Sequence, residues 1–234
     1  MAYSGTYAFA MTRDDLIGGA LRLCQAYGDQ DVIPANDITN CAQALNIIMK
    51  EMALEGMPLW CIKDITIPLV ANQATYNVST ASGTTLPLRI LDAYLRNNAT
   101  NSDIVITLES RYDYNQLGLK NSTGVPNQGF YDPQLGGGII TLYNVPADNN
   151  STLHLVIQRQ LQDINIATEN PDFPQEAFRM LKWCLADEIG LEYNTPKDVR
   201  MEVNQKAIAL KTKFFDAQQE QVSVRFTPTD NGRK

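Results

Sequence analysis

Apolar positions along the chain change their period twice. From Asp14 to Tyr27, Leu16, Ile17, Ala20, Leu21 and Cys24 recur at helical spacing. Thr12 followed by Asp15 resembles a capping box with Asp in place of Glu, and Gly28 is the predicted stop. A second helix is predicted over about Asn36 to Leu54. Its seam, Ile38, Cys41, Leu45, Ile48 and Met52, is a narrow stripe suited to a neighbouring helix. Gly56 and Pro58 end it. The two helices are expected to form an antiparallel hairpin.

From Leu59 the pattern becomes alternating. "WCIKDITIPL", "ATYNVS", "LPLRILDAYLRN" and "DIVITLES" are strand-like and separated by turn residues. "ESRYDYNQL" reads as a short helical turn and "GVPNQGFYDP" as another strand entry. Six to eight short strands in two layers are expected over this stretch. Helical spacing returns after "DINIATENPDF". Pro174 opens a helix carrying Ala177, Phe178, Leu181, Leu185 and Ile189, which runs to about Tyr193. A last helix follows from about Lys197 to Gln221, about 37 Å long, with Val199, Val203, Ala207, Leu210, Phe214 and Ala217 inward. Beyond it Val222, Val224 and Phe226 alternate like a strand with no partner in the fold, which fits either a frayed terminus or a strand that docks onto another chain.

The expected fold class is therefore α+β. A helical bundle, made of an N-terminal helical hairpin and two C-terminal helices, carries an inserted all-β module and an extended C-terminal tail. The expected boundaries are 1–60 for the arm and hairpin, 61–165 for the β module, 166–221 for the C-terminal helices and 222–234 for the tail.

Gly136-Gly137-Gly138 raises the question of a phosphate loop. Such a loop needs a helix directly after its glycines. Here Ile139-Ile140-Thr141-Leu142-Tyr143 follows, which is strand chemistry, and no Gly-Lys-Ser/Thr is present. A hairpin with a glycine-loosened entry is expected, its second strand being Leu153, Leu155 and Ile157 after the turn Ala147–Ser151.

Composition narrows the chemistry. Cys24, Cys41, Cys61 and Cys184 form no C-x-x-C pair and read as buried free thiols. His154 is the lone histidine and lies in a strand. No catalytic, metal or cofactor site is assigned, because zinc and Ser-His-Asp chemistry both need partners the sequence does not supply. Net charge is −7, against a protein that grips duplex DNA through clustered cations. Apolar runs fall short of the roughly 20 residues that span a bilayer. The first residues lack the pattern of a secretion signal, so a reducing compartment is expected.

The order helical hairpin, β insert, helical pair resembles the head-to-tail adaptor (tail accessory factor) family of tailed bacteriophages, of the short-tailed-phage type. Four stretches carry the resemblance: "LIGGALRLCQAYG", "ALNIIMKEMALEGMPLW", "FYDPQLGGGIITLYNVPADNNSTLHLVIQR" and "FPQEAFRMLKWCLADEIGLEYN". Residues 1–11 and the open glycine run depart from the family pattern. The resemblance implies a structural, non-enzymatic protein of the virion head–tail junction, made in the host cytoplasm. It implies a twelve-membered ring under the portal protein that extends the DNA channel, lets DNA pass without specific binding, and offers a platform to the next tail component, a nozzle or fibre protein. No membrane contact is implied. Family C-terminal segments reach toward the portal, so Val222, Val224, Arg225 and Phe226 are the expected portal-binding residues.

Two rival classes stand beside this. A cell-wall glycan hydrolase would need paired carboxylates, with Glu109 and Asp113, or Asp163, Glu169 and Asp172, as candidates. A tail receptor or carbohydrate-binding protein would use Tyr112, Tyr114, Phe130 and Tyr131 as aromatic platforms, unless those rings pack the sheets.

Overall fold

The structure, a computed structural model, describes residues 5–6, 9–55, 59–78 and 87–218. The chain mixes helices with several sheets, an arrangement compatible with α+β. The predicted stops Gly56 and Pro58, the end of the last helix at 219–221, and the tail with Val222, Val224, Arg225 and Phe226 lie outside the described residues.

Helix α1 spans Arg13–Leu23. Its capping box is formed: the Asp15 amide donates to Thr12 Oγ1 at 3.3 Å and the Thr12 amide donates to Asp15 Oδ2 at 3.1 Å. The helix ends earlier than the expected Tyr27. Gln25 adopts φ +57°, and the Ala26 and Gln25 amides donate back to the Leu21 and Arg22 carbonyls. This is a Schellman termination with glutamine where glycine is usual, which hydropathy spacing does not reveal.

Helix α2, Ala35–Glu55, buries the expected Cys41, Leu45, Ile48 and Met52. Ala42, Met49 and Ala53 widen the stripe, because α2 meets more than one neighbour. Helix α4 (Phe178–Ile189, following the short α3 at Arg111–Gln116) buries its whole predicted seam. It stops at Ile189, short of the expected Tyr193. There the Thr195 amide returns to the Gly190 carbonyl, and the Thr195 hydroxyl donates to the Cys24 carbonyl at 3.2 Å. The turn after α4 thus satisfies an orphan carbonyl at the end of α1. Helix α5, Lys197–Ala217, buries Val203, Ala207 and Phe214, while Ala217 is exposed rather than inward. Side chains of these four helices form one hydrophobic cluster. Within it α1 packs more extensively on α4 than on its expected hairpin partner α2.

The strands are ten among the described residues, more numerous than expected. One sheet has the order β1 (Ile62–Pro68), β10 (Ser151–Arg159), β3 (Pro87–Asn97), β4 (Asp103–Val105), all antiparallel. The other has the order β2 (Thr75–Asn77), β8 (Gly137–Tyr143), β7 (Gln128–Gln134), β5 (Thr107–Glu109), the last pair parallel. Two-residue strands β6 (Thr123–Gly124) and β9 (Val145–Pro146) pair with each other. Leu153, Leu155 and Ile157 from β10 and Ile140 and Leu142 from β8 meet in a second hydrophobic cluster.

The expected hairpin between the strand after the glycines and the strand at Leu153–Ile157 is not formed. β8 pairs back onto β7, and β10 lies in the other sheet. Val145-Pro146 and the turn that follows carry the chain across instead. Leu135 and Gly136 make the β7–β8 turn, and Gly137 and Gly138 open β8, paired with Gln134 and Pro133. Gly136 takes φ +83°, and a Cβ on Gly138 would collide with the Tyr131 ring.

Candidate interaction surface

Loop 160–174 ties the helices to the sheet. Asn46 of α2 donates to the Ile164 carbonyl at 3.0 Å and accepts from the Ile164 amide at 2.9 Å. Lys50, one turn on, pairs with Asp163 at 2.7 Å. Arg159, at the end of β10, makes a two-pronged pair with Asp172, one arm at 2.8 Å, and the Gln162 amide also donates to that carboxylate. Glu169 accepts from the Asn165 and Ile166 amides at 2.8 and 3.0 Å, which lowers its pKa.

These bonds bear on the hydrolase candidates. Asp163, Glu169 and Asp172 each hold backbone or a basic partner, and Glu169 is shifted opposite to what a general acid needs. Asp113 exchanges capping bonds with Ser110 at the start of α3, while Glu109 precedes it in β5. The aromatic candidates divide as well. Tyr114 is buried and stacks on Phe130 at 5.6 Å, and Tyr131 packs against the sheet cluster. Tyr112 alone of the four is strongly exposed. His154 stacks on Tyr94 at 4.6 Å across β10 and β3. The four cysteines are free, and three are buried. Among the described residues no three His, Cys, Asp or Glu side chains converge as metal ligands, and no helix is long and apolar enough to cross a membrane.

What the helices do present is a set of exposed apolar side chains. Ile47 and Leu54, seven residues apart on α2, are 65 and 67 % exposed. Met201 and Ile208, seven apart on α5, are 54 and 57 % exposed, and Leu191 in the turn before α5 is 68 % exposed. Each pair lies on the face of its helix away from the buried stripe.

A groove lies beside Leu191, Met201 and Ile208. Its wider part, about 520 Å³, lies between α4 and α5 and is lined by Asp187, Glu188, Leu191, Arg200, Met201 and Asn204. Its continuation, about 220 Å³, reaches α2 and is lined by Ile48, Glu51, Cys184, Ile208 and Lys211. The groove carries charges of both signs, Glu51, Asp187 and Glu188 with Arg200 and Lys211. Asp187 accepts from the Asn204 amide group at 3.0 Å, and Lys211 pairs with Glu55 at 2.6 Å. Burial pushes the Cys184 thiol up to about 11. Lys211 opposes the shift, and Asp187, Glu55 and Glu51 add to it.

The charges of α4 run against its own dipole. Arg179 stands in its first turn, just after Glu176 of the preceding 3-10 turn, and Asp187 and Glu188 stand in the last turn, where the backbone is negative. Each misplaced charge costs roughly 0.3–1 kcal/mol. Local departures of this kind are expected where a surface serves a partner.

Sequence reasoning missed this surface, because it followed the buried stripes and left the opposite faces unread. The signal was present as seven-residue apolar spacing and as acids at a helix C-terminus. The expected portal-binding residues Val222, Val224, Arg225 and Phe226 are not brought to any site, since they lie outside the described residues. Compared with protein-family models and with curated proteins, the chain matches none.

Proposed function

We propose that this protein is a head-to-tail adaptor of a tailed-phage virion. It forms a ring, twelve-membered by family resemblance, beneath the portal protein, extends the DNA channel and offers a platform to the next tail component. In this reading residues 1–60 and 166–221 build one helical bundle, and residues 61–165 are an all-β module inserted between its halves. Val222, Val224, Arg225 and Phe226 make the portal contact.

The observation that supports the reading is that Ile47, Leu54, Leu191, Met201 and Ile208, on or beside the packed helices, are exposed. Apolar surface left on packed helices favours protein contact. A ring buries two different faces of each subunit, and stiff helices fix the rotation that lets it close. The net charge of −7 keeps channel walls from holding DNA as it passes.

Mass photometry with and without the portal protein tests the proposal. Monomers alone and portal-bound rings are expected. Deleting residues 222–234 is expected to abolish attachment while circular dichroism stays unchanged. Attachment by the truncated chain would refute the tail assignment. Ile47→Glu with Leu54→Glu is expected to reduce ring formation by about tenfold or more, as charges buried without partners oppose association. Undiminished rings would remove Ile47 and Leu54 from the interface.

A further inference from the structure

The β7–β8 hairpin carries an apolar knob at one end and stands over an apolar hole at the other. The knob is Leu135, fully exposed in the two-residue turn that joins the strands. Such turn positions are usually filled by Gly, Pro, Asn, Asp or Ser. Gly136 beside it supplies the left-handed residue with φ +83°, so the turn itself does not call for leucine.

The hole is a cavity of about 100 Å³. Buried Leu69, Leu95, Pro126 and Pro146 line it, together with exposed Ile104 and Val125. Asp148 is the sole charged residue of the lining, is itself exposed, and accepts from the Asn150 amide at 2.9 Å. An apolar cavity of about 150 Å³ admits benzene, so this one has room for the isobutyl group of a leucine. Pro126 stands two residues before β7 and Pro146 three residues after β8. The hole therefore lies at the open end of the hairpin. The turn lies at the far end of a seven-residue strand pair, about 20 Å away. No chain can seat its own Leu135 in its own hole.

We propose that Leu135 of one copy inserts into this hole on a second copy of the chain. Size fits, as given above. Charge fits too, since Gln134-Leu135-Gly136-Gly137 is neutral and no ion is buried when it enters. The placement makes the contact head-to-tail: every docked copy still offers a knob to one neighbour and a hole to another. Such a contact propagates until the rotation per copy closes a ring. One leucine alone is a weak hold, millimolar at best, so dilute copies separate unless a further surface joins them. The contact does not depend on the adaptor reading. Its place in a closed ring does, where the exposed helical side chains supply the further surface.

Thiol cross-linking of the full-length protein without portal tests the contact, with a short bismaleimide at millimolar chain concentration. One chain carries Gln134→Cys beside the intact knob and the other carries Ala147→Cys at the hole. Both positions are exposed, and unchanged melting temperatures check the fold. The wild type measures the background from the four native thiols. The mixed chains are expected to cross-link about tenfold or more faster than either alone, because docking raises the local thiol concentration. Adding Leu135→Ser to the Gln134→Cys chain is expected to remove that excess. No excess in the mixture overturns the proposal, as does an excess that survives Leu135→Ser. Equally fast cross-linking of the Gln134→Cys chain by itself overturns it too, since it places two turns together. Portal-bound rings without the cross-link would refute this contact and leave the adaptor reading. The cross-link without portal binding would do the reverse.

Discussion

Asp172 shows how one side chain closes a loop. It pairs with Arg159 in a two-pronged contact, accepts from the Gln162 amide, and offers its own carbonyl to Trp60 Nε1 at 3.1 Å. Asp172→Ala leaves a largely buried guanidinium without its counter-ion. The expected loss is about 2–3 kcal/mol in urea unfolding, below the figure for a fully buried pair because water still reaches both groups. Asp15 is held low by Thr12, Asp103 by Arg96, and Glu169 by the Ile166 and Asn165 amides. A lowered folded pKa means the unfolded chain takes up protons first. The stabilisation is therefore complete above the ordinary carboxylate values, 4.5 for Glu169 and 3.8 for the two aspartates, and is lost as pH falls through the lower folded values. Urea midpoints should hold steady from neutral pH to about 5 and fall below about 4. Glu169→Gln should flatten part of that fall, and an unchanged slope would show that its amide bonds contribute nothing.

The β7–β8 turn is where an element depends on a single missing atom. Gly138 faces Pro133 in the ladder and lies under the Tyr131 ring. Gly138→Ala must displace that ring from the sheet cluster, an overpacking cost of about 1–3 kcal/mol. Gly137→Ala, in the same strand, is the control. The expected readout is a lower melting temperature for the first variant, and equal melting temperatures would place the ring elsewhere. The glycine run was visible in the sequence as strand chemistry rather than a phosphate loop, but its pairing partner was not. Adjacent strands favour hairpins, so β8 and β10 looked like a pair. The separation is set by residues remote in sequence: Ile65 and Ile67 of β1 and Ala93 and Leu95 of β3 flank β10. Helices were more legible because their seams are local. The buried positions of α2 and α4 could be read by spacing, whereas the end of α1 could not, since a left-handed Gln25 carries no strong propensity signal. Of the outer surface nothing was read, because exposed apolar residues gain meaning only when neighbouring helices align them.

At the scale of the whole molecule, two hydrophobic clusters meet along a narrow seam. Leu45, Leu181 and Leu185 belong to one, and Leu142, Leu153 and Leu155 to the other. Polar ties link the end of β10 to the helical side: Gln158 Nε2 to the Ala53 carbonyl at 3.3 Å, and Arg159 with Asp172. Clusters joined this way can open separately, because breaking the seam exposes less apolar surface than melting either core. Leu181→Ala should cost about 3 kcal/mol, since Leu181 is fully buried. Under native conditions its amide-exchange signature should be uneven. Amides of α1, α2 and α4 should lose about 100-fold of protection, while those of β8 and β10 lose clearly less. Leu155→Ala should reverse that pattern. Equal losses throughout, in both variants, would mean the seam couples the cores into one cooperative unit. If the protein is the ring subunit proposed above, the uneven outcome has a physical use: loops of the sheet region can adjust to a tail partner without loosening the helices that fix the rotation between neighbours.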